Sequence, residues 1–246
     1  MAWIETKIIG RHDWAPGLIT LELQATPAAF VPGQFVSLGL ELGGERIKRS
    51  YSLASAPADP AEFYLSHVPD GGLTPALFNL GPGDDVWIDD RALGFFTLDY
   101  VPVASHLWLL ATGTGLGPFM AMLRTPTIWE RFSRIVVVHG VRHVSHLGYS
   151  ALLARWAEQR PQQFSYVPLV TREAAPAAGL FGRLPQLIAS GELEQKVGLA
   201  FEPTRDHVLM CGNPAMISEV QAVLATRGLH KHRPRKPGHI TIESYW

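Results

Sequence analysis

The stretch that most constrains this chain is His106 to Leu123, HLWLLATGTGLGPFMAML. Leu107 to Ala111 is an apolar run of the length that fills a fully buried strand. Gly113, Gly115 and Gly117 follow, with small Thr112 and Thr114 between them, and Pro118 opens a second apolar run, Phe119 to Leu123. Proline suits the first turn of a helix, where its missing N–H would have no partner. Strand, glycine turn and helix make the opening of a βα unit, in which open N–H groups and the helix dipole attract a phosphate. Pro118 stands where the third glycine of G-x-G-x-x-G would fall. Read alone, the turn therefore serves tight packing as well as it serves a nucleotide.

The rest of the chain decides between these. Its 246 residues have room for two domains. Apolar residues make up 47% and charged residues 17%, so a core is easily built and disorder is not expected. A net charge of −1 gives no global pull toward nucleic acid. The single cysteine, Cys211, has no partner for an internal disulfide, and one thiolate cannot hold an iron–sulfur cluster. The N-terminal residues lack a signal peptide's apolar centre, and no apolar run approaches the ~20 residues of a membrane span. The expectation is a soluble cytoplasmic protein.

From Trp3 to Leu98 the chain reads as short β segments cut by turns. Leu18–Leu23 and Phe35–Leu40 alternate faces, and Phe63–Val68 follows. Turns are marked by Pro32-Gly33, Gly43-Gly44, Asp70-Gly71-Gly72 and Pro82-Gly83-Asp84. That spacing predicts an N-terminal antiparallel β-barrel over residues 1–98. Thr74 to Leu80 interrupts it as a short helix with Thr74 as N-cap and Pro75 at the first helical position. Such a helix can plug a barrel end, offer N–H groups to a second phosphate, or do both at once.

Asp99 to Ser105 reads as a linker, and residues 106–246 then alternate strand and helix. Buried strands are expected at Ile135–His139, Phe164–Val170 and His207–Cys211, and helices at Ala151–Glu158, Leu184–Ala189 and Pro214–Thr226. This predicts a C-terminal α/β doubly wound parallel sheet, whose ligands lie beyond the carboxyl ends of the strands. His239–Ile242 alternates like a last strand, and Glu243-Ser244-Tyr245-Trp246 follows it. An aromatic pair there is expected to cover something apolar.

On one strand Arg49 and Tyr51 share a face, and Ser50 and Ser52 share the other. Arginine clamps a pyrophosphate with paired N–H bonds, tyrosine lies against a ring system, and a serine hydroxyl bonds a ring nitrogen. Arg49-Ser50-Tyr51-Ser52 with Ala56-Pro57 and the preceding Pro32-Gly33-Gln34-Phe35 resembles the flavin half of the ferredoxin–NADP reductase family. Thr112 to Pro118 and Cys211-Gly212-Asn213-Pro214 resemble its two nucleotide turns, and Glu243 to Trp246 the ending of its bacterial ferredoxin/flavodoxin branch.

The resemblance implies FAD on the barrel and NADP(H) on the parallel sheet, with residues 239–246 returning to the flavin. It implies FAD contacts from Arg49, Ser50, Tyr51, Ser52, Ser66, His67, Val68, Leu73, Thr74, Pro75, Thr114, Tyr245 and Trp246. Tyr245 would shield the flavin ring and Trp246 would contact the adenosine. For NADP it implies Thr112, Gly113, Gly115, Gly117, Val141, Arg142, Thr171, Arg172, Arg183, Gly212, Asn213 and Pro214. Ser52, Cys211, Glu243 and Tyr245 are the implied catalytic set. A lone buried cysteine is most often a small core residue, but the Gly212-Asn213-Pro214 turn that follows Cys211 favours the active site. The implied partners are ferredoxin and/or flavodoxin, met transiently and electrostatically by a monomer, with no nucleic acid and no membrane. A reductase of free flavin, quinone or ferric acceptors, and a flavin-binding regulatory protein, are the alternatives.

Charge separates the two pyridine nucleotides. An NAD site usually places an acid after the second strand, to bond the ribose 2′-OH. Here Arg142, Arg172 and Arg183 follow successive strand ends or the next turn, which favours a 2′-phosphate. His139, His143 and His146 span a strand end and a loop with no carboxylate close in sequence, so no metal site is expected. The basic run His230 to Lys236 reads as a solvated loop, or as a contact for phosphate or an acidic partner.

Overall fold

The first strand, β1 (Trp3–Ala15), has two partners. The computed structural model, which describes residues 2–244, continues with β2 (Leu18–Leu23), β3 (Phe35–Leu42), β4 (Glu45–Ser52), β5 (Ala61–Ser66), the single-turn helix α1 (Thr74–Leu77) and β6 (Asp85–Asp89). These strands form one antiparallel sheet in the order β4-β3-β6-β1-β2-β5. Residues 3–7 of β1 pair with β6, and β1 pairs with β2 from Ile8 on. A register shift between Ile8 and Gly10 lies just past this change of partner, and such bulges bend a strand and increase its twist. At the far edges the chain after β4 returns to β5, where the Ala54 N–H donates to the Glu62 carbonyl at 2.8 Å. The sheet is thus curled into the expected barrel.

Ile19, Leu21 and Leu23 of β2 pack inward with Val36, Leu38, Phe63 and Ile88. The expected alternation along β2 is absent, because Leu18 and Thr20 on its other face are buried too. Trp14 covers that face: its indole N–H donates to the Thr20 hydroxyl at 2.8 Å, and its ring meets Tyr64 edge-on. Strand β5 ends at Ser66, two residues short of the expected Val68. Thr74 is the first residue of α1, not its N-cap. Its hydroxyl accepts the Val68 N–H at 3.0 Å and donates to the Val68 carbonyl at 3.1 Å, so a loop bond has replaced the cap. The Ala76 and Leu77 N–H groups both donate to the Leu73 carbonyl, which closes the single turn. Leu73 and Leu77 enter the barrel core, the plugging role.

The remaining elements are β7 (His106–Thr112), α2 (Gly117–Leu123), α3 (Pro126–Arg131), β8 (Arg134–Val141), α4 (Ser150–Gln159), β9 (Phe164–Val170), β10 (Leu180–Phe181), α5 (Leu184–Ser190), α6 (Glu192–Val197), β11 (Asp206–Gly212), α7 (Pro214–Ala225) and β12 (Ile240–Ser244). Their sheet is parallel throughout, ordered β10-β9-β8-β7-β11-β12. The order reverses at β7, whose neighbours are β8 and β11, and a sheet of this kind offers its crevice at such a reversal. Leu107 to Ala111 are fully buried between neighbours on both sides, which is why the run carries no polar alternation.

Two units divide the chain: the residues up to Leu98 with Gly117–Thr127, and Asp99–Leu116 with everything from Ile128 on. The expected segments 1–98 and 106–246 are therefore crossed once, by α2 and the residues after it. Every residue of α2 is buried. Phe119 lies 5.7 Å from Phe96, ring to ring, and Arg124 donates to the Glu62 carboxylate at 2.8 Å and the Ala54 carbonyl at 2.9 Å. Those partners all belong to the first unit.

Candidate functional site

In the first unit, β4 carries Arg49, Ser50, Tyr51 and Ser52. Arg49 and Ser50 are exposed, Tyr51 is half-buried and Ser52 buried. Burial pushes the Tyr51 phenol up to about 12, against the opposing pull of Arg49, so it stays a neutral hydroxyl. The loop after β5 comes to the same place: Arg49 Nη2 is 3.4 Å from where a Cβ on Gly72 would sit. Gly72 thus leaves the guanidinium side of this corner free of a neighbouring side chain. The loop holds half-buried Ser66 and Val68, exposed His67, buried Leu73 and Thr74, and half-buried Pro75. Its shape is fixed by the Thr74–Val68 pair of bonds and by the His67 ring, 5.1 Å from Phe78. An exposed arginine beside a side-chain-free corner suits a pyrophosphate, and a neutral tyrosine next to it suits an aromatic ring. These residues fit FAD.

In the second unit, two turns meet at the sheet's reversal point. The first, Gly113–Leu116, is a 3-10 turn after β7, and the second, Gly212 to Pro214, joins β11 to α7. They are in close backbone contact: a Cβ on Gly115 would collide with the Cys211 carbonyl. Gly212 has φ +131, and a Cβ there would collide with the Thr112 hydroxyl. Glycine is therefore required at 115 by space and at 212 by space and conformation together. Asn213 caps α7, its side-chain oxygen accepting from Ala215 at 2.9 Å and Met216 at 3.2 Å, with Pro214 at the first helical position. Cys211 is fully buried and stands in register between Ala111 of β7 and Glu243 of β12, with its Sγ 4.0 Å from the carboxylate.

The three arginines follow neighbouring strands. Arg142 follows β8 and Arg172 follows β9, and the Arg172 N–H donates to the Arg142 carbonyl at 3.0 Å. Arg183 follows β10, after Gly182, whose N–H is tied to Val170 of β9. All three are exposed at the carboxyl side of the sheet. Arg183 already pairs with Glu219 at 2.6 Å, so an anion would share it with a carboxylate. Val141 is buried with Leu147 and Val170, and its carbonyl accepts from the Thr171 N–H and hydroxyl. Gly117 and Pro118 begin α2 and belong to the first unit, where Ser52, Ala54 and Tyr64 surround the Gly117 position. Thr112 and Thr114 are half-buried in the second. Tyr245 and Trp246 lie outside the described residues.

His139, His143 and His146 do not converge. His143 sits 3.7 Å from Glu173 and its ring 5.7 Å from His146, while His139 is sealed inside β8. Glu173, remote in sequence, also accepts the Val144 N–H. Burial is the main cause holding His146 below its usual range. Among the described residues no three potential metal ligands cluster. The basic run forms a turn in which Arg233 and Lys236 exchange backbone hydrogen bonds.

A barrel with an Arg-x-Tyr-Ser strand, joined to a parallel sheet with paired glycine turns at its reversal point, defines a two-domain dinucleotide-dependent oxidoreductase. A sequence model described as oxidoreductase NAD-binding domain matches residues 109–222. The flavodoxin/ferredoxin–NADP reductase of Escherichia coli (strain K12) is 42% identical over 246 residues, covering 99% of each chain. The ferredoxin–NADP reductase of Pseudomonas aeruginosa is 36% identical over 249 residues, covering 96% of this chain and 95% of that one. The structure of a ferredoxin NADP+ reductase from Neisseria gonorrhoeae with bound FAD and NADP superposes with a TM-score of 0.93 at 32% identity, covering 99% of both. The chain belongs to the flavodoxin/ferredoxin–NADP reductase family.

Proposed function

We propose that this protein is an FAD-dependent oxidoreductase that exchanges a hydride with NADP(H) and single electrons with ferredoxin or flavodoxin. When bound, FAD supplies the ability to take two electrons together and release them one at a time. The chain's residues do the binding and orienting. Arg49 pairs with the pyrophosphate, Tyr51 and Ser52 line the ring, and the loop from Ser66 to Pro75 carries the rest of the cofactor. Tyr245 covers the ring and Trp246 the adenosine. Thr112 to Gly115 and Gly212 to Pro214 receive the nicotinamide half of NADP(H). Arg142, Arg172 and Arg183 hold its 2′-phosphate. The buried Cys211 thiol and the Glu243 carboxylate orient the nicotinamide for transfer.

The observation that carries this reading is the in-register placement of Cys211 against Glu243 beside two interlocked glycine turns. Among the described residues no helix is long and apolar enough to cross a membrane. We place the protein in the cytoplasm as a monomer that meets its carriers transiently. The test is NADPH-driven reduction of purified ferredoxin and flavodoxin. Turnover that saturates with carrier concentration supports the reading. Turnover with free flavin, quinone or ferric acceptors but not with carriers points to a small-acceptor reductase instead.

A further inference from the structure

Among the described residues, His139 is a buried titratable group beside the nucleotide turns that the proposed chemistry leaves unused. It lies on β8 in register with Ala111 of β7, follows Val136, Val137 and Val138, and is fully buried. Its Nε2 is 3.0 Å from the Gly113 carbonyl. A carbonyl only accepts, so Nε2 carries the ring proton and Nδ1 is a bare acceptor. That Nδ1 is sealed from solvent with no partner among the described residues. Burial holds the imidazole down to about 4, so it stays neutral and keeps this tautomer at ordinary pH. A fourth valine would avoid stranding a buried acceptor, so the histidine carries a stability cost that its one bond offsets only in part.

The bond fixes a peptide plane. In a trans peptide the carbonyl and the following N–H point in opposite directions. Holding the Gly113 carbonyl on the imidazole therefore turns the Thr114 N–H away from the core, at the start of the 3-10 turn. We propose that His139 is a positioning residue for the nucleotide, aiming the Gly113–Thr114 peptide N–H at the pyrophosphate on the nicotinamide side. This rests on the assignment of the turn to NADP(H). Arg172 and Arg183 follow other strands, and Arg142, three residues after His139, lies exposed beyond the end of β8 while the His139 ring is buried and bonded to Gly113, so the 2′-phosphate end should not sense the change.

The test compares two ligands on the FAD-loaded enzyme: NADP+, and 2′-phospho-AMP, which carries the adenine end alone. Dissociation constants are measured for wild type, His139→Leu, His139→Asn and His139→Gln. A glutamine amide reaches about as far as Nε2, and an asparagine amide stops short. Leu and Asn should weaken NADP+ about tenfold, the scale of leaving one carbonyl unpaired. Gln should restore it to within about threefold of wild type. 2′-Phospho-AMP should bind all four proteins alike. Unchanged NADP+ affinity in the Leu and Asn variants, equal loss of both ligands, or Gln behaving like Asn would overturn the proposal. If the Leu variant fails to fold, the Asn and Gln pair decides the matter. Wild type that retains FAD yet binds no NADP+ would refute the site assignment itself, a separate result from any difference among variants.

Discussion

The backbone N–H of Asn213 donates to the hydroxyl of Thr112 at 2.8 Å, across 101 positions of sequence. Thr112 ends β7 and Asn213 follows β11, the two strands at the point where the sheet order reverses. Because Asn213 also caps α7, one bond ties the first glycine turn to the helix after the second. Thr112→Val keeps the shape and removes the acceptor. It should cost about 1 kcal/mol of stability in urea unfolding and weaken NADP+ binding. Equal stability and equal affinity would show that the turns hold each other by packing alone.

Nucleotide choice follows from Arg142 and Arg172, joined through their backbones at adjacent strand ends. Charge-assisted hydrogen bonds contribute roughly 1.5–3 kcal/mol each. Replacing both residues with alanine should lower kcat/KM for NADPH by orders of magnitude and leave that for NADH nearly unchanged. Arg183 alone should matter less, because Glu219 already shares its charge. A parallel loss with both nucleotides would make the arginines structural.

The Cys211–Glu243 pair is expected to act on the reaction step and not on holding the cofactor. Cys211→Ala and Glu243→Ala should slow flavin reduction at saturating NADPH while FAD is retained. That pattern marks an interaction stronger in the transition state than in the ground state, since uniform binding alters KM alone. Single-turnover rates equal to wild type in both variants would remove them from the site.

Two buried histidines set an acid limit on stability. Burial, then His232, His239 and Arg131, hold His207 down to about 3, and burial holds His139 near 4, from an ordinary value of 6.5. Below pH 6.5 the unfolded chain takes up protons that the folded chain refuses. Stability is therefore complete above that pH and is lost as pH falls toward 4 and then 3. Each histidine adds a slope approaching about 1.4 kcal/mol per pH unit. Denaturant melts at pH 7, 6 and 5 should show the decline, and His207→Gln should remove one histidine's share. An unchanged slope in that variant would mean that the proton is taken up elsewhere.

Strands read best from sequence were those buried on both faces. Phe164–Val170 matches β9 residue for residue, its second half the buried run Val167 to Val170. What escaped depends on partners far away in the chain. The outer face of β2 is buried by Trp14, and α2 joins the first unit through Arg124 and Glu62, neither of which has a local signature. Helices α3 and α6 have six residues each, too few for a clear period. Thr74 looked like a cap because Thr-Pro so often is one, and only the fold supplies Val68 as its rival partner. The glycine turns and the arginines were visible as motifs. In the sequence His139 stands out as a strand-end histidine near His143 and His146, and its link to Gly113 needs the register of β7 against β8.

The most direct test of the whole account is the visible spectrum of the purified protein before and after anaerobic NADPH. The purified protein should show a flavin spectrum that NADPH bleaches and NADH barely affects, and that oxidised ferredoxin or flavodoxin then restores. A protein without flavin, or a bound flavin that NADPH leaves unbleached, would contradict it.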